Sequence, residues 1–420
     1  MDLKRLTLLH SNDMHGDFFD EQQNEILVGG IARLSGYVQQ TRKEDIPALY
    51  VIAGDMLQGS IIDQEFKGIS TIDIINALSP DIVTLGNHEL DYGLGHLMFL
   101  EKCAKFPIIN ANLYIKPTGT KLFQGHKILE VDGIRILFIG IITEEVMEFG
   151  KKDPLIGSFV DINDAAKAVE YYCNNFKDID IDLTVLLTHI GFDSDKQLAA
   201  ALPPELGVDL IIGGHSHTLL EEPCRVGDIL IVQVGCGTDQ IGRFDLVLDR
   251  DTNAIHSYEW NVIPISDRTC PIDPDMHHLL QSYKRQTDYK FTRIIRRLGR
   301  RLTHPSRFQE TELGNYFADI FAEHLDLDIV MIASGSIRTE CLDALVTLKN
   351  LRETFPYDER ILSCYISGKQ LREMLETHLK MHYSPQGCRE FYQINSKFRY
   401  HADRDGSLLT IDFDGTPIVP

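Results

Sequence analysis

Five short runs of apolar, often β-branched residues punctuate the first half of this 420-residue chain, and each stops abruptly beside an Asp, Asn or His. The runs are Arg5–His10, Ala48–Ala53, Asp81–Leu85, Leu183–Thr188 and Val208–Ile212. Brief apolar runs bounded by breakers read as strands buried on both faces, the condition of a parallel sheet. Helical spacing fills the intervals: Gly30–Thr41 sets Ile31, Leu34 and Val38 on one face, and Asn163–Phe176 precedes the fourth run. Strands alternating with helices predict a layered α/β domain over residues 1–265. Open α/β sheets gather ligands at the carboxyl ends of their strands, so endings far apart in sequence can meet in one crevice.

The texture changes at residues 266–308, where Pro271 and Pro274 mark a break, a helix begins near Met276, and a basic run follows with Arg293, Arg296, Arg297, Arg300 and Arg301. A helix and linker joining two domains is expected here, with the arginines on a solvated face. From 309 to 420 a smaller α/β unit is expected. Leu313, Tyr316, Phe317, Ile320 and Phe321 recur at helical spacing and lead into a strand over Leu327–Ile332. Ser367-Gly-Lys-Gln370 has the form of a capping box opening a helix that carries Leu371, Met374, Leu375 and Leu379 on one side.

A formal net charge of −21 speaks against an electrostatic grip on nucleic acid, whose phosphates need a basic surface. It leaves a small phosphate substrate open, because bound divalent cations reverse the sign of a local field. The eight cysteines are scattered without a Cys-x-x-Cys pair, Met1-Asp-Leu-Lys-Arg5 runs straight into the first strand, and no apolar run approaches a membrane span. These features lead to the expectation of a cytoplasmic chain with reduced thiols and no membrane partner. Oligomeric state has no signature in the sequence.

The endings themselves are a set of metal donors. Asp13 and His15 follow the first run, and an extended backbone sends both to one side. Asp55 lies within Gly54-Asp-Met-Leu-Gln-Gly59; its two oxygens suit a bridge between cations, and equally a turn that caps the following helix. Gly86-Asn87-His88-Glu89-Leu90-Asp91 offers a neutral carbonyl donor in Asn87 and leaves His88 for proton work, with Asp91 close enough to orient it. His189, His215 and His217 add three imidazoles. Asp13, His15, Asp55 and His217 can surround one cation, and Asp55, Asn87, His189 and His215 another. Such nitrogen and oxygen sets suit manganese, zinc, iron or cobalt better than calcium. Two divalent metal ions would polarise a phosphoryl oxygen and lower the pKa of a water, which implies hydrolysis by in-line attack on phosphorus.

The five motifs, in this order, resemble the calcineurin-type metallophosphoesterases. The whole layout resembles the bacterial 5′-nucleotidase and UDP-sugar hydrolase family, through His10-Ser-Asn-Asp-Met-His-Gly16, Gly29-Gly-Ile-Ala-Arg33, Gly86-Asn-His-Glu89 and Gly213-Gly-His-Ser-His217. The resemblance implies a four-layer α/β/β/α metal domain, the ligand set given above, and a role for His88 with Asp91 at the transition state or leaving group. Glu312-Leu-Gly-Asn315 and Gly335-Ser-Ile-Arg338 extend it to a C-terminal substrate domain, implying substrate contacts from Gly335, Arg338, Tyr357 and Arg360, with Tyr357 stacking a base.

In three places the chain departs from that pattern. Ala333 stands where the family has an Asn, no signal segment precedes the first strand, and relatives continue past the point matched by Pro420 into a second stacking aromatic. The expected reaction is release of phosphate from nucleoside 5′-monophosphates or related small esters. Cleavage of 2′,3′-cyclic nucleotides or UDP-sugars is the alternative, and a silent nucleotide sensor a remote one.

Overall fold

The computed structural model describes residues 2–115, 117–142, 156–158, 162–356, 360–383, 391–403 and 406–419. The chain divides into two compact units, Met1–Arg285 and Gln286–Pro420.

Two six-stranded sheets make the first unit. In chain order their strands are β1 (Leu3–Ser11), β2 (Ala48–Ala53), β3 (Ile82–Thr84), β4 (Ile108–Ile109), β5 (His126–Val131), β6 (Ile134–Ile142), β7 (Leu183–His189), β8 (Leu210–Ile212), β9 (Cys224–Val226), β10 (Ile229–Val232), β11 (Gln240–Asp249) and β12 (Ala254–Pro264). One sheet runs β12-β11-β1-β2-β3-β4 and the other β9-β10-β8-β7-β6-β5. All five runs read from the sequence form strands, and their pairings β1·β2, β2·β3 and β7·β8 are parallel. Antiparallel strands close the edges beyond β1, β6 and β10.

Alternation along each strand explains the layering. Leu6 and Leu8 of β1, Val51 of β2, Val185 and Leu187 of β7 and Ile212 of β8 share one buried cluster that holds the two sheets face to face. Leu9, Tyr50, Ile52 and Val83 face the other way, against Ile31, Leu34 and Val38 of the helix Ile31–Thr41 and Ile72 and Ile75 of the helix Ile69–Leu78. Leu137, Leu186 and Ile211 likewise cover the far side of the second sheet beneath Val169 and Leu198 from the helices Ile162–Asn175 and Phe192–Ala201. The order of layers is therefore α/β/β/α. Three of the five runs lie in one sheet and two in the other, so their carboxyl ends converge from both sides of the sandwich core.

The second unit begins inside the helix Pro274–Phe291. The basic run, expected on a connector, instead contributes the strand Ile294–Arg297, antiparallel to Leu345–Thr347 of the same unit. Its arginines stay exposed, and Arg300 and Arg301 pair with Glu312 and Asp343. The amphipathic helix spans Glu312–Leu325, capped by Thr311, whose hydroxyl accepts from the Gly314 N–H. The capping box is made as read: Ser367 Oγ accepts from Gln370 N, and Gln370 Oε1 from Ser367 N, at the start of Gly368–Tyr383.

The strand expected over Leu327–Ile332 is shorter and shifted, Met331–Ala333, against Tyr392–Ile394. Asn395 is the reason, because its side chain accepts from Val330 N and donates to Asp328 O, ending the ladder with side-chain bonds. Among the described residues no helix is long and apolar enough to cross a membrane.

Candidate metal centre

Three of the five buried strands, β1, β2 and β8, end in turns that a branched apolar residue could not make. Asp13 (φ 50°), His15 (φ 48°), Asp55 (φ 52°), His215 (φ 82°) and His217 (φ 51°) all adopt the left-handed backbone region. Such conformations cost about 1–3 kcal/mol each and persist where the surroundings over-determine them. The surroundings do so here by cross-bonding the turns: Asp13 N donates to Gly54 O at 3.1 Å, His15 N to Asp55 O at 3.0 Å, and His215 N to both oxygens of Asp13 at 3.0 and 2.9 Å. The core beneath, where each fully buried Leu, Ile or Val side chain is worth about 1.5–3 kcal/mol, offsets the strain. Gly86 and Gly214 are required by crowding. A Cβ on Gly86 would overlap Asp55, and one on Gly214 would lie 2.6 Å from both Ala53 O and His189 Nδ1.

The turns bring together all seven residues read from the sequence as metal donors. Asp13, His15 and His217 form one group, and Asp55, His189 and His215 another; within each group the donor atoms lie within 4.8 Å of one another. Asp55 also joins His15 and His88 in a third such group, so its carboxylate stands between the two sides of the site. Asp55 Oδ2 is 3.1 Å from His189 Nε2 and 3.9 Å from His15 Nε2. Across the cleft His15 Nε2 and His217 Nε2 are 3.0 Å apart, and Asn87 Oδ1 is 2.9 Å from His215 Nδ1. Asp13, Asp55 and His189 are buried, His15, His88 and His215 half-buried and His217 exposed, which gives the cluster a closed floor and an open mouth.

The electrostatics of the cluster suit bound cations. Among the described residues, neither Asp13 nor Asp55 pairs with a lysine or arginine; the cations offered to them are imidazoles. Burial opposes charge on His189, yet the Asp55 and Asp13 carboxylates carry it up to about 10. The hydrogen bond with Asp13 raises His217, whereas burial keeps His15 below its ordinary value. Ala53 O can only accept, so His189 Nδ1 donates to it at 2.7 Å, and Nε2 is the nitrogen whose lone pair becomes available to a cation once its proton is displaced. That nitrogen is buried, and apart from the Asp55 carboxylate 3.1 Å away it has no hydrogen-bond partner among the described residues. An imidazole held through one nitrogen by a backbone carbonyl, with the other bare toward two carboxylates, is the arrangement of a metal-ligating histidine. The donor set thus fits divalent ions, which would displace protons from the cluster on binding.

His88 and Asp91 are also together. His88 Nδ1 lies 2.7 Å from Asp91 Oδ2, leaving Nε2 toward the cleft. Burial works against charge on His88, but the Asp91 hydrogen bond and the Asp55 carboxylate outweigh it and push His88 up to about 9. Two residues that the sequence reading left without a role support the cluster. Asn12 donates to Asp13 Oδ2 and to Gly235 O, both at 2.7 Å, and Glu89 bonds the backbone around Asp55. Both sit inside the motifs, and a buried polar residue flanking a ligand is the signal that could have found them.

The expected substrate residues belong to the second unit. Gly335 and Arg338 share one turn, where Arg338 Nη1 lies 3.4 Å from Gly335 O and the Arg338 backbone N–H donates to Thr354 O. Arg360 is exposed and lines a cavity of about 430 Å³ together with Ser336, Phe321 and Phe355. Tyr357 lies outside the described residues.

A two-sheet sandwich with a nitrogen and oxygen donor cluster at its strand ends defines a metallophosphoesterase, and residues 6–219 match the calcineurin-like phosphoesterase family. Residues 290–420 match the 5′-nucleotidase C-terminal domain. The chain belongs to the 5′-nucleotidase family of calcineurin-like phosphoesterases, divalent-metal hydrolases acting on phosphate ester bonds. It is 28% identical to the 5′-nucleotidase of Mus musculus over 93% of this chain and 74% of that protein. The crystal structure of a 5′-nucleotidase precursor from Thermus thermophilus superposes with a TM-score of 0.75 at 24% identity, over 99% of this chain and 87% of that one. A Haemophilus influenzae NAD nucleotidase shares the fold with a TM-score of 0.67 at 17% identity, over 100% and 89%.

Proposed function

We propose that the chain releases phosphate from nucleoside 5′-monophosphates or related small phosphate esters at a two-cation centre. The observation that carries this reading is the position of Asp55, whose carboxylate is shared between donor groups on opposite sides of the cleft. Asp13, His15 and His217 would hold one ion, Asn87, His189 and His215 the other, and Asp55 both. Bound there, manganese, zinc, iron or cobalt would supply Lewis-acid polarisation of a phosphoryl oxygen and an activated water.

The chain's own groups do the rest. Asp91 holds the His88 ring through Nδ1, so Nε2 faces the cleft as the proton donor to a departing ester oxygen. In the cation-free site, against burial, the Asp91 hydrogen bond and the Asp55 carboxylate raise His88 above its ordinary value, and Asp91 stays in place to favour the proton when cations occupy the centre. The buried floor excludes bulk water from Asp13, Asp55 and His189, which strengthens every charge interaction made there. Arg338, carried by the Gly335 turn, is the candidate clamp for substrate charge, and Tyr357 the candidate stacking ring. The cytoplasmic setting read from the sequence belongs to the same proposal, and fractionation of cells producing the full-length protein tests it.

Phosphate release from a panel of nucleoside monophosphates, 2′,3′-cyclic nucleotides, UDP-glucose and sugar phosphates, with manganese and with excess chelator, tests the reading. Chelator-sensitive turnover concentrated on 5′-monophosphates is expected. Turnover confined to diesters or pyrophosphates would keep the centre and overturn the substrate, and nucleotide binding without turnover would make the chain a sensor.

A further inference from the structure

The turn after β2 and the turn after β3 carry Asp55 and Asn87, two donors for the same side of the centre, and one carboxylate ties them together. Glu89 is 2% exposed, and its two oxygens receive four backbone N–H groups. Oε2 accepts from Asp55 N at 3.0 Å and Gly86 N at 2.6 Å; Oε1 accepts from Met56 N at 2.8 Å and Leu57 N at 3.2 Å. Among the described residues it forms no ion pair with a lysine or arginine; burial and the neighbouring Asp55 push its carboxyl up to about 7, opposed by the backbone N–H groups and the His189 imidazole. That is a costly way to bury a carboxylate unless its position matters.

The consequence falls on Asp55. Its left-handed backbone is fixed through the N–H that Glu89 accepts. Its Oδ1 accepts from His88 N at 2.9 Å, which leaves Oδ2 facing His189 and His15. Bare of Glu89, the Asp55 turn would lose the bonds that hold it in its strained conformation and against the Gly86 turn. We infer that Glu89 is the positioning residue of this centre: it contributes no donor atom to the cations, but by clamping both turns it sets Asp55 between the two donor groups. This inference rests on the two-cation reading above.

Glu89→Gln is the informative substitution, because the shape is kept and the chemistry is not. Each Glu89 oxygen faces two N–H donors, so in either orientation the new amide NH₂ group points at a pair of donors: Met56 and Leu57, which loosens the Asp55 turn, or Asp55 and Gly86, which unties the two turns from each other. Glu89→Asp keeps the charge but, one methylene shorter, reaches one turn fully and the other poorly.

The test titrates full-length wild type and both variants with Mn(II), follows stoichiometry and spin coupling between ions by electron paramagnetic resonance, and measures kcat and KM separately. Wild type should bind two coupled ions. Glu89→Gln should bind the second ion about 10–100-fold more weakly and without coupling, with kcat falling more than KM rises, and Glu89→Asp should lie between. Two coupled ions and an unchanged kcat in Glu89→Gln would overturn the inference. So would loss of folded circular dichroism in both variants, since Glu89 would then be a residue of folding and not of the centre. A wild-type chain that binds fewer than two ions would remove the two-cation reading itself, and the inference with it.

Discussion

In the first unit the candidate residues hang from the ends of five buried strands, whereas in the second Arg338 and Arg360 are exposed and lie outside the helices and strands. Asp13 is fixed by Asn12 and the His215 N–H, His189 by Ala53 O, and Asp55 by Glu89 and the His88 N–H. The Arg338 guanidinium lies near its own turn, at Gly335 O. The difference teaches where each kind of chemistry can be built. A cation pair needs donors placed within a few tenths of an ångström, which only a packed core supplies, whereas a clamp on a mobile small molecule works from a turn.

Substitutions at the two kinds of site should separate binding from turnover. Asp55→Asn removes one anionic oxygen from the shared position and should lower kcat by about 10³-fold, roughly 4 kcal/mol of transition-state stabilisation, while weakening both cations. Retention of two metals per chain at a near-normal rate would take Asp55 off the bridge. His88→Ala should cost about 10²-fold in kcat with KM nearly unchanged. A change mainly in KM would make His88 a binding residue and bring it into line with the second unit. Arg338→Ala should do the reverse, raising KM by about 10-fold with kcat kept, as expected for loss of one charge-assisted contact. If instead kcat falls and KM stays, the comparison between the units fails.

Much of the first unit was legible before any coordinates, for a physical reason. Runs such as Ala48–Ala53 are apolar on both faces, so burial and strand character are written in the same residues, and the Asp or His that ends each run stands out against them. What the pattern could not say is which sheet each strand joins, because the parallel strands of both sheets have the same composition; β3 and β7 read alike and lie in different sheets. The position of Glu89 inside a motif could mark it as a supporting residue, but not as a clamp, because its partners are backbone N–H groups, which carry no sequence signature. In the second unit, Arg293–Arg301 read as a solvated face, and the strand it forms depends on a distant partner, Leu345–Thr347. The capping box at Ser367 was legible because all its atoms lie between Ser367 and Gln370.

The buried polar residues of the first unit also set a dependence of stability on pH that the exposed arginines of the second cannot. His10, next to the last residue of β1, faces the inner core, stacked on Trp260 with ring centroids 5.4 Å apart, and neither ring nitrogen has a hydrogen-bond partner. Burial alone pushes it down to about 3. The folded protein therefore keeps His10 neutral where the unfolded chain, at its ordinary 6.5, takes up a proton. Above that value the group adds nothing to the pH dependence. As the pH falls below it the unfolded state is favoured progressively, until the folded ring also protonates. At about pH 5 the loss should reach roughly 2 kcal/mol. His10→Phe keeps a planar ring against Trp260 and removes the proton. Urea midpoints of the metal-free proteins at about pH 7.5 and about pH 5 should fall less for the variant than for wild type, with turnover at neutral pH unchanged. Equal falls would mean that His10 is protonated in the folded state, and that the core at the end of β1 admits water.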